Sequence, residues 1–228
     1  MKLTNLKAFA QSHRESLKKL LPLLNRLRFS NRLGRKTDLQ MGACLLRGVT
    51  VEDGGTDNHI IIEDFVQLRN CQFIFHGSHN TVHIGPRVYG KDAAFFMEDE
   101  GNRITLGEHT YICGETVFSA IEGTAIEIGR ECLFSGGIQF RTGDSHSVLN
   151  LEGKRINPSE DIRIGDHVWV GTKVTCLKGV TVAEDSIVAA TATLTGRYET
   201  PNSAIGGVPA KILKTGVNWC TQRIPIEK

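Results

Sequence analysis

Residues 162–196 read IRIGDHVWVGTKVTCLKGVTVAEDSIVAATATLTG, and their spacing decides the fold. Ile164, Val170, Cys176, Val182, Val188 and Leu194 recur every six residues, and Val168, Val174, Val180, Ser186 and Ala192 stand four after the first five. This fits a flat-sided coil with two inward side chains per short strand and then a tight corner. Three such sides make one 18-residue turn of a solenoid. Coils stacked about 4.8 Å apart by backbone hydrogen bonds build an apolar column that no single coil buries alone.

Toward the N-terminus the same apolar-x-apolar-Gly step occurs as Val82-His83-Ile84-Gly85, Ile104-Thr105-Leu106-Gly107 and Ile126-Glu127-Ile128-Gly129. Ile62, Ile84, Leu106 and Ile128 are 22 residues apart, as are Leu46-Arg47-Gly48-Val49-Thr50-Val51 and Leu68-Arg69-Asn70-Cys71-Gln72-Phe73. A 22-residue coil is the 18-residue turn with four residues looped out at a corner, as in Gly77-Ser78-His79-Asn80, Gly101-Asn102 or Gly123-Thr124. Ile128 to Ile164 is 36 residues, and the extra fourteen fall around Arg141-Thr142-Gly143-Asp144-Ser145-His146-Ser147. So strict a repeat has little structural reason for such an insertion, which marks the place to look for chemistry.

The composition, 40% apolar and 23% charged over 228 residues, is ordinary for a soluble globular protein. Cys44, Cys71, Cys113, Cys132, Cys176 and Cys220 form no Cys-x-x-Cys pair and read as small apolar fillers in a reducing compartment. Lys7, Gln11, His13 and Arg14 interrupt the start of the chain, unlike a signal peptide, and no run approaches the roughly 18 apolar residues of a membrane span. The expectation is a cytoplasmic protein. Residues 1–38 carry ten Lys/Arg against Glu15 and Asp38, a balance of +8 that leaves −6 elsewhere. There Leu3, Leu6, Ala10, Leu17, Leu20, Leu21, Leu24 and Leu27 recur at helical spacing around Pro22. One or two amphipathic helices follow, packed on the domain or a neighbouring subunit, or laid with a basic face on anionic lipid or polymer. The predicted organisation is a basic helical segment (1–38), a β-solenoid (39–205) with an inserted loop (141–161), and a tail (206–228) with a short helix opened by Pro209.

The hexapeptide period over residues 104–219 resembles the bacterial hexapeptide-repeat acyltransferases, and the 22-residue coils extend the likeness toward capsular polysaccharide and polysialic acid O-acetyltransferases. The resemblance implies an all-β left-handed parallel β-helix, against the usual right-handed crossover. It also implies a homotrimer with sites between subunits, and acetyl-CoA as co-substrate with no metal. Residues 141–157, RTGDSHSVLNLEGKRIN, look like the catalytic loop of the capsular enzymes, in which the histidine of Asp-Ser-His-Ser is the general base; that role falls on His146. A neutral imidazole can take a proton from an alcohol near pH 7. Asp144 would orient the ring or bind the acceptor, with Glu152 and Asp161 as competing orienters.

Trp169, in Gly165-Asp166-His167-Val168-Trp169, points outward in the six-residue register, and outward tryptophans usually anchor interfaces. Resemblance makes it a catalytic partner whose indole N–H faces the reacting oxygen, while His167 reads as wall. By the same matching, Thr172, Ala190 and Thr195 line the arm of CoA. Gly207-Val208-Pro209-Ala210-Lys211 resembles the family's closing Gly-x-Pro-Ala-Lys, with Lys211 and Lys214 toward the phosphates. The chain departs from the pattern at Ala189-Ala190-Thr191-Ala192, bulkier than Gly-Ala-Gly-Ser, and at Thr195-Gly196, where Arg197 follows in place of Thr-Lys.

Three rivals stand beside a sugar O-acetyltransferase. A γ-type carbonic anhydrase would need zinc ligands from among His76, His79, His83 and His109, which lie within one coil or the next and leave the Asp-Ser-His-Ser loop unexplained. An amino-sugar N-acetyltransferase or small-molecule acetyltransferase would need a base less, because a free amine is more nucleophilic. A non-catalytic binding solenoid would have no CoA affinity. Arg141, Lys154 and Arg155 favour an anionic sugar such as sialic acid. No nucleic-acid partner and no transmembrane segment is expected, while peripheral membrane contact through the basic N-terminus is compatible with the sequence.

Overall fold

The structure, a computed structural model, describes residues 14–226. A single α-helix, Arg14–Leu27, precedes 24 short strands among these residues. The first coil shows the rule: Asp38–Met41 lies on an eight-stranded sheet, Leu45–Arg47 on a nine-stranded sheet and Thr50–Asp53 on a seven-stranded sheet. Each later coil repeats that order, so every strand except the last, Ala210–Thr215, pairs in parallel with its equivalent one coil away. The result is a left-handed parallel β-helix of about 7 turns.

The spacing read from the sequence is the physical register. Ile62 pairs with Ile84, Ile84 with Leu106, Leu106 with Ile128, Ile128 with Ile164 and Ile164 with Val182. Both inward series are buried. Between them His167, Lys173, Gly179, Asp185 and Thr191, six apart, take positive φ, so each corner turns on one left-handed residue. The glycine closing each apolar-x-apolar-Gly step answers a different need. A Cβ on Gly107 would stand 2.4 Å from the carbonyl carbon of Gly129 in the next coil, so the corners could not stack.

Inside the column, Phe73, Phe95, Phe118 and Phe140 stack with centroids 4.8, 5.1 and 5.1 Å apart. The four looped-out residues of the 22-residue coils fall at the corner between the seven- and eight-stranded sheets. Asn58, Asn80 and Asn102 climb that corner: Asn58 and Asn80 each accept from the next asparagine's backbone and side-chain N–H, and Asn102 accepts from the Gly123 amide, so buried amides are satisfied rung by rung. The fourteen-residue insertion enlarges this same corner: the strand Ile138–Arg141 ends and Ile162–Ile164 begins across loop 142–161.

Both solenoid ends are covered. Asn25 of the helix donates to the Cys44 carbonyl (3.0 Å) and accepts from the Leu46 amide (3.1 Å). Leu3, Leu6 and Ala10 lie outside the described residues. The C-terminal helix expected after Pro209 does not form. Ala210–Thr215 is a strand that returns antiparallel on Ser203–Gly207, with Val208-Pro209 in the turn. Pairing along the open sheet edge outweighs the local helix-start signal. Lys211 and Lys214 are therefore strand residues, not helical neighbours. The register slips at Leu213, so they sit opposite buried Gly206 and half-buried Ala204, on either side of buried Ile205. The cysteines divide: Cys44, Cys71, Cys132 and Cys176 are buried fillers, whereas Cys113 and Cys220 are exposed thiols.

Candidate active site

His146 stands on the long corner loop, in a shallow pocket of about 140 Å³ floored by Glu98, Asp99 and Glu122 from the turns of the two preceding coils. The loop is held by its backbone and by charge. Asn157, 7% exposed, donates from one amide nitrogen to the His146 carbonyl and the Asp144 carboxylate, both at 2.8 Å, and its oxygen accepts from the Val148 amide at 2.8 Å. Ser145, at positive φ, donates to Glu98 at 2.8 Å. Arg155 pairs with Glu122, which also accepts from the Ser159 hydroxyl at 2.7 Å. The Arg155 guanidinium, and then Ser159, hold the Glu122 carboxyl down to about 2.

Asp144 accepts from Lys178 at 2.6 Å and from Asn157 at 2.8 Å, and these two, Lys178 first, hold its carboxyl below the ordinary range. Asp161 accepts from the Ala125 amide and Arg163, and Glu152 from Asn150. None of the three expected orienters hydrogen-bonds the imidazole ring of His146, and among the described residues nothing else does. Arg141 donates to Gln139 at 2.9 Å.

Trp169 occupies a different side of the coil. It lies on the nine-stranded sheet between buried Val168 and Val170, is 37% exposed, and its indole N–H makes a long 3.4 Å contact to the Ser135 hydroxyl. Trp219, from the tail, tilts against it at 6.2 Å and stacks on His167 at 4.4 Å, donating its N–H to the His167 carbonyl at 2.8 Å. Asp185 bonds the other edge of His167 at 2.8 Å. Thr172 and Ala190 sit one above the other at the next corner, where the Thr172 carbonyl accepts from the Thr191 amide at 2.8 Å. The lysine-bearing hairpin borders the same sheet. Thr195 is set apart from this group: it follows the strand Thr193–Leu194 at the corner that carries the His146 loop. One chain thus gathers the expected residues in two separate groups, His146 with Asp144, Arg141, Arg155 and Thr195 at one corner, and Trp169 with Thr172, Ala190, Lys211 and Lys214 around another.

Known proteins carry the same architecture. A solved structure of the polySia specific acetyltransferase NeuO superposes with a TM-score of 0.73 at 28% identity, over 84% of this chain and 82% of that one. A polysialic acid O-acetyltransferase of Neisseria meningitidis is 32% identical over 91 residues, 40% of this chain and 42% of that protein. Its counterpart in Escherichia coli O1:K1 / APEC is 31% identical over 90 residues, 39% of this chain and 29% of that protein. The chain is similar in fold and in sequence to these hexapeptide-repeat acetyltransferases. No family-wide sequence profile matches it, and the matched stretches span less than half of either named relative.

In this chain three histidines of the zinc reading are engaged separately: His79 with Asp57, His83 with Glu63, and His76 edge-on against Phe96. Sequence reasoning missed the supports of the site. Trp219 had a signal, being one of two tryptophans in the chain. Glu122 and Lys178 had none, since they meet the loop only through coil stacking.

Proposed function

We propose that the protein is an acetyl-CoA-dependent O-acetyltransferase that esterifies a hydroxyl of a bacterial surface polysaccharide, with sialic-acid-containing polymers the first candidates. The observation that carries this reading is the His146 loop itself, a histidine-bearing interruption of an otherwise strict solenoid, on a backbone superposable on a polySia specific acetyltransferase. His146 takes the proton of the acceptor hydroxyl as its oxygen attacks the thioester carbonyl. The ester forms as the C–S bond breaks, and the proton leaves with the thiol. Trp169 donates its indole N–H toward the oxygen that gains negative charge, a contribution of roughly 10²–10³ in rate when well aimed.

The residues fit the co-substrate. The corner at Gly136, Thr172 and Ala190 carries short side chains over stacked backbone, which suits a pantetheine arm, and Lys211 and Lys214 lie exposed on the adjoining hairpin for phosphate. Because the two groups lie on different sides of one chain, the reacting centre would form between subunits of a trimer. Arg155 is neutralised by Glu122, so recognition of an anionic sugar would fall to Arg141 and Lys154.

The test is thiol release from acetyl-CoA against polysialic acid, neutral glycans and amino sugars. Turnover is expected with hydroxyl acceptors, polysialic acid foremost. Release with amino sugars alone would replace the reading with N-acetylation, and no acetyl-CoA binding would remove it.

A further inference from the structure

We propose that the leucine stripe of helix Arg14–Leu27, with the adjoining Phe29, docks the protein on an anionic phospholipid surface. The helix packs on the first coil through one face, where Asn25 is 1% exposed between half-buried Leu21 and Pro22. Leu20, Leu23, Leu24 and Leu27, at i, i+3, i+4 and i+7, are instead 51, 55, 46 and 65% exposed, and Phe29 is fully exposed. On a helical wheel this stripe is centred about 150° from the Asn25 face. A helix that buries an asparagine and turns four leucines to solvent reverses the ordinary surface pattern, so the stripe needs an occupant.

Charge identifies it. Ten Lys/Arg stand against two acidic residues in positions 1–38. Lys19 and Arg26 border one edge of the stripe on the wheel; with Arg32 and Arg35 they are exposed and make no ion pair among the described residues. A second copy would bring the same positive face, and like faces repel. An anionic polymer would match the charge but offer no interior to four leucines. An anionic bilayer answers both, taking the leucines below the headgroups and the cations among them. No described helix is long and apolar enough to cross a membrane, so this one would lie in the interface plane. The inference stands independently of the transferase reading.

The experiment is co-sedimentation of the full chain with phosphatidylcholine vesicles, with and without phosphatidylglycerol, alongside light scattering without lipid. Binding is expected to require phosphatidylglycerol and to fall with salt. The pair Leu23→Glu/Leu27→Glu should lower it about tenfold or more, and Lys19→Glu/Arg26→Glu likewise, at roughly fivefold per charge. All four positions are exposed, and an unchanged circular dichroism melt accompanies the comparison. Absent binding, or binding unchanged by either pair, overturns the proposal. So does a leucine pair that lowers the mass of the assembly, which would assign the stripe to a second copy.

Discussion

The hydrogen bonds around His146 hold the residue by its main chain, with Asn157 on its carbonyl and Ser145 tied to Glu98, and leave the ring to meet an incoming group. If His146 is the base proposed above, it depends on loop position more than on a carboxylate partner. His146→Ala should lower turnover about 10²–10⁴-fold while acetyl-CoA still binds, read by thiol release and by calorimetry; near-normal turnover would exclude the base role. Glu122 has a separate acid signature. Its folded pKa, about 2, lies below the ordinary 4.5. The Glu122–Arg155 contact therefore stabilises the fold fully above pH 4.5 and loses that contribution as pH falls from 4.5 toward 2. The difference in Tm between wild type and Glu122→Gln should shrink over that interval; a difference flat with pH would deny the linkage.

At the scale of elements, the loop behaves as one anchored piece because Asn157 ties three points of it together. Asn157→Ala strips partners from the Val148 amide and the His146 carbonyl, at a cost of about 1–3 kcal/mol where a buried group is left unpaired. It should lower kcat and speed proteolysis within 142–161 while Tm falls by only a few degrees; an intact loop with normal kcat would contradict that. The strands were legible because an inward aliphatic every six residues has no helical reading. The size of the insertion was legible because the Ile128–Ile164 gap counts the excess directly. The C-terminal strand was not. Pro209 opens a helix as well as it ends a hairpin turn, and only the unpaired edge of Ser203–Gly207 decides between them. Likewise Lys178 reaches Asp144 across 34 residues of chain, a meeting that exists only once coils stack.

Over the whole molecule, the coil that makes stability cheap also keeps the two proposed catalytic residues apart. Each coil has three sides, and a residue's side is fixed by its place in the repeat. His146 therefore belongs to the corner between the seven- and eight-stranded sheets, and Trp169 to the nine-stranded sheet, however the loop relaxes. In the proposed trimer, closed cyclic symmetry would resolve this, because it would bring one corner of a subunit against another side of its neighbour at every interface. The consequence separates a shared site from a self-contained one. His146→Ala and Trp169→Ala chains should each be inactive alone, yet co-expressed in equal amounts they should regain about a quarter of wild-type activity, since about one interface in four pairs an intact histidine with an intact tryptophan. If each chain held its own complete site, every mixed assembly would carry a lesion in each site, and the co-expressed sample would be as inactive as its parents.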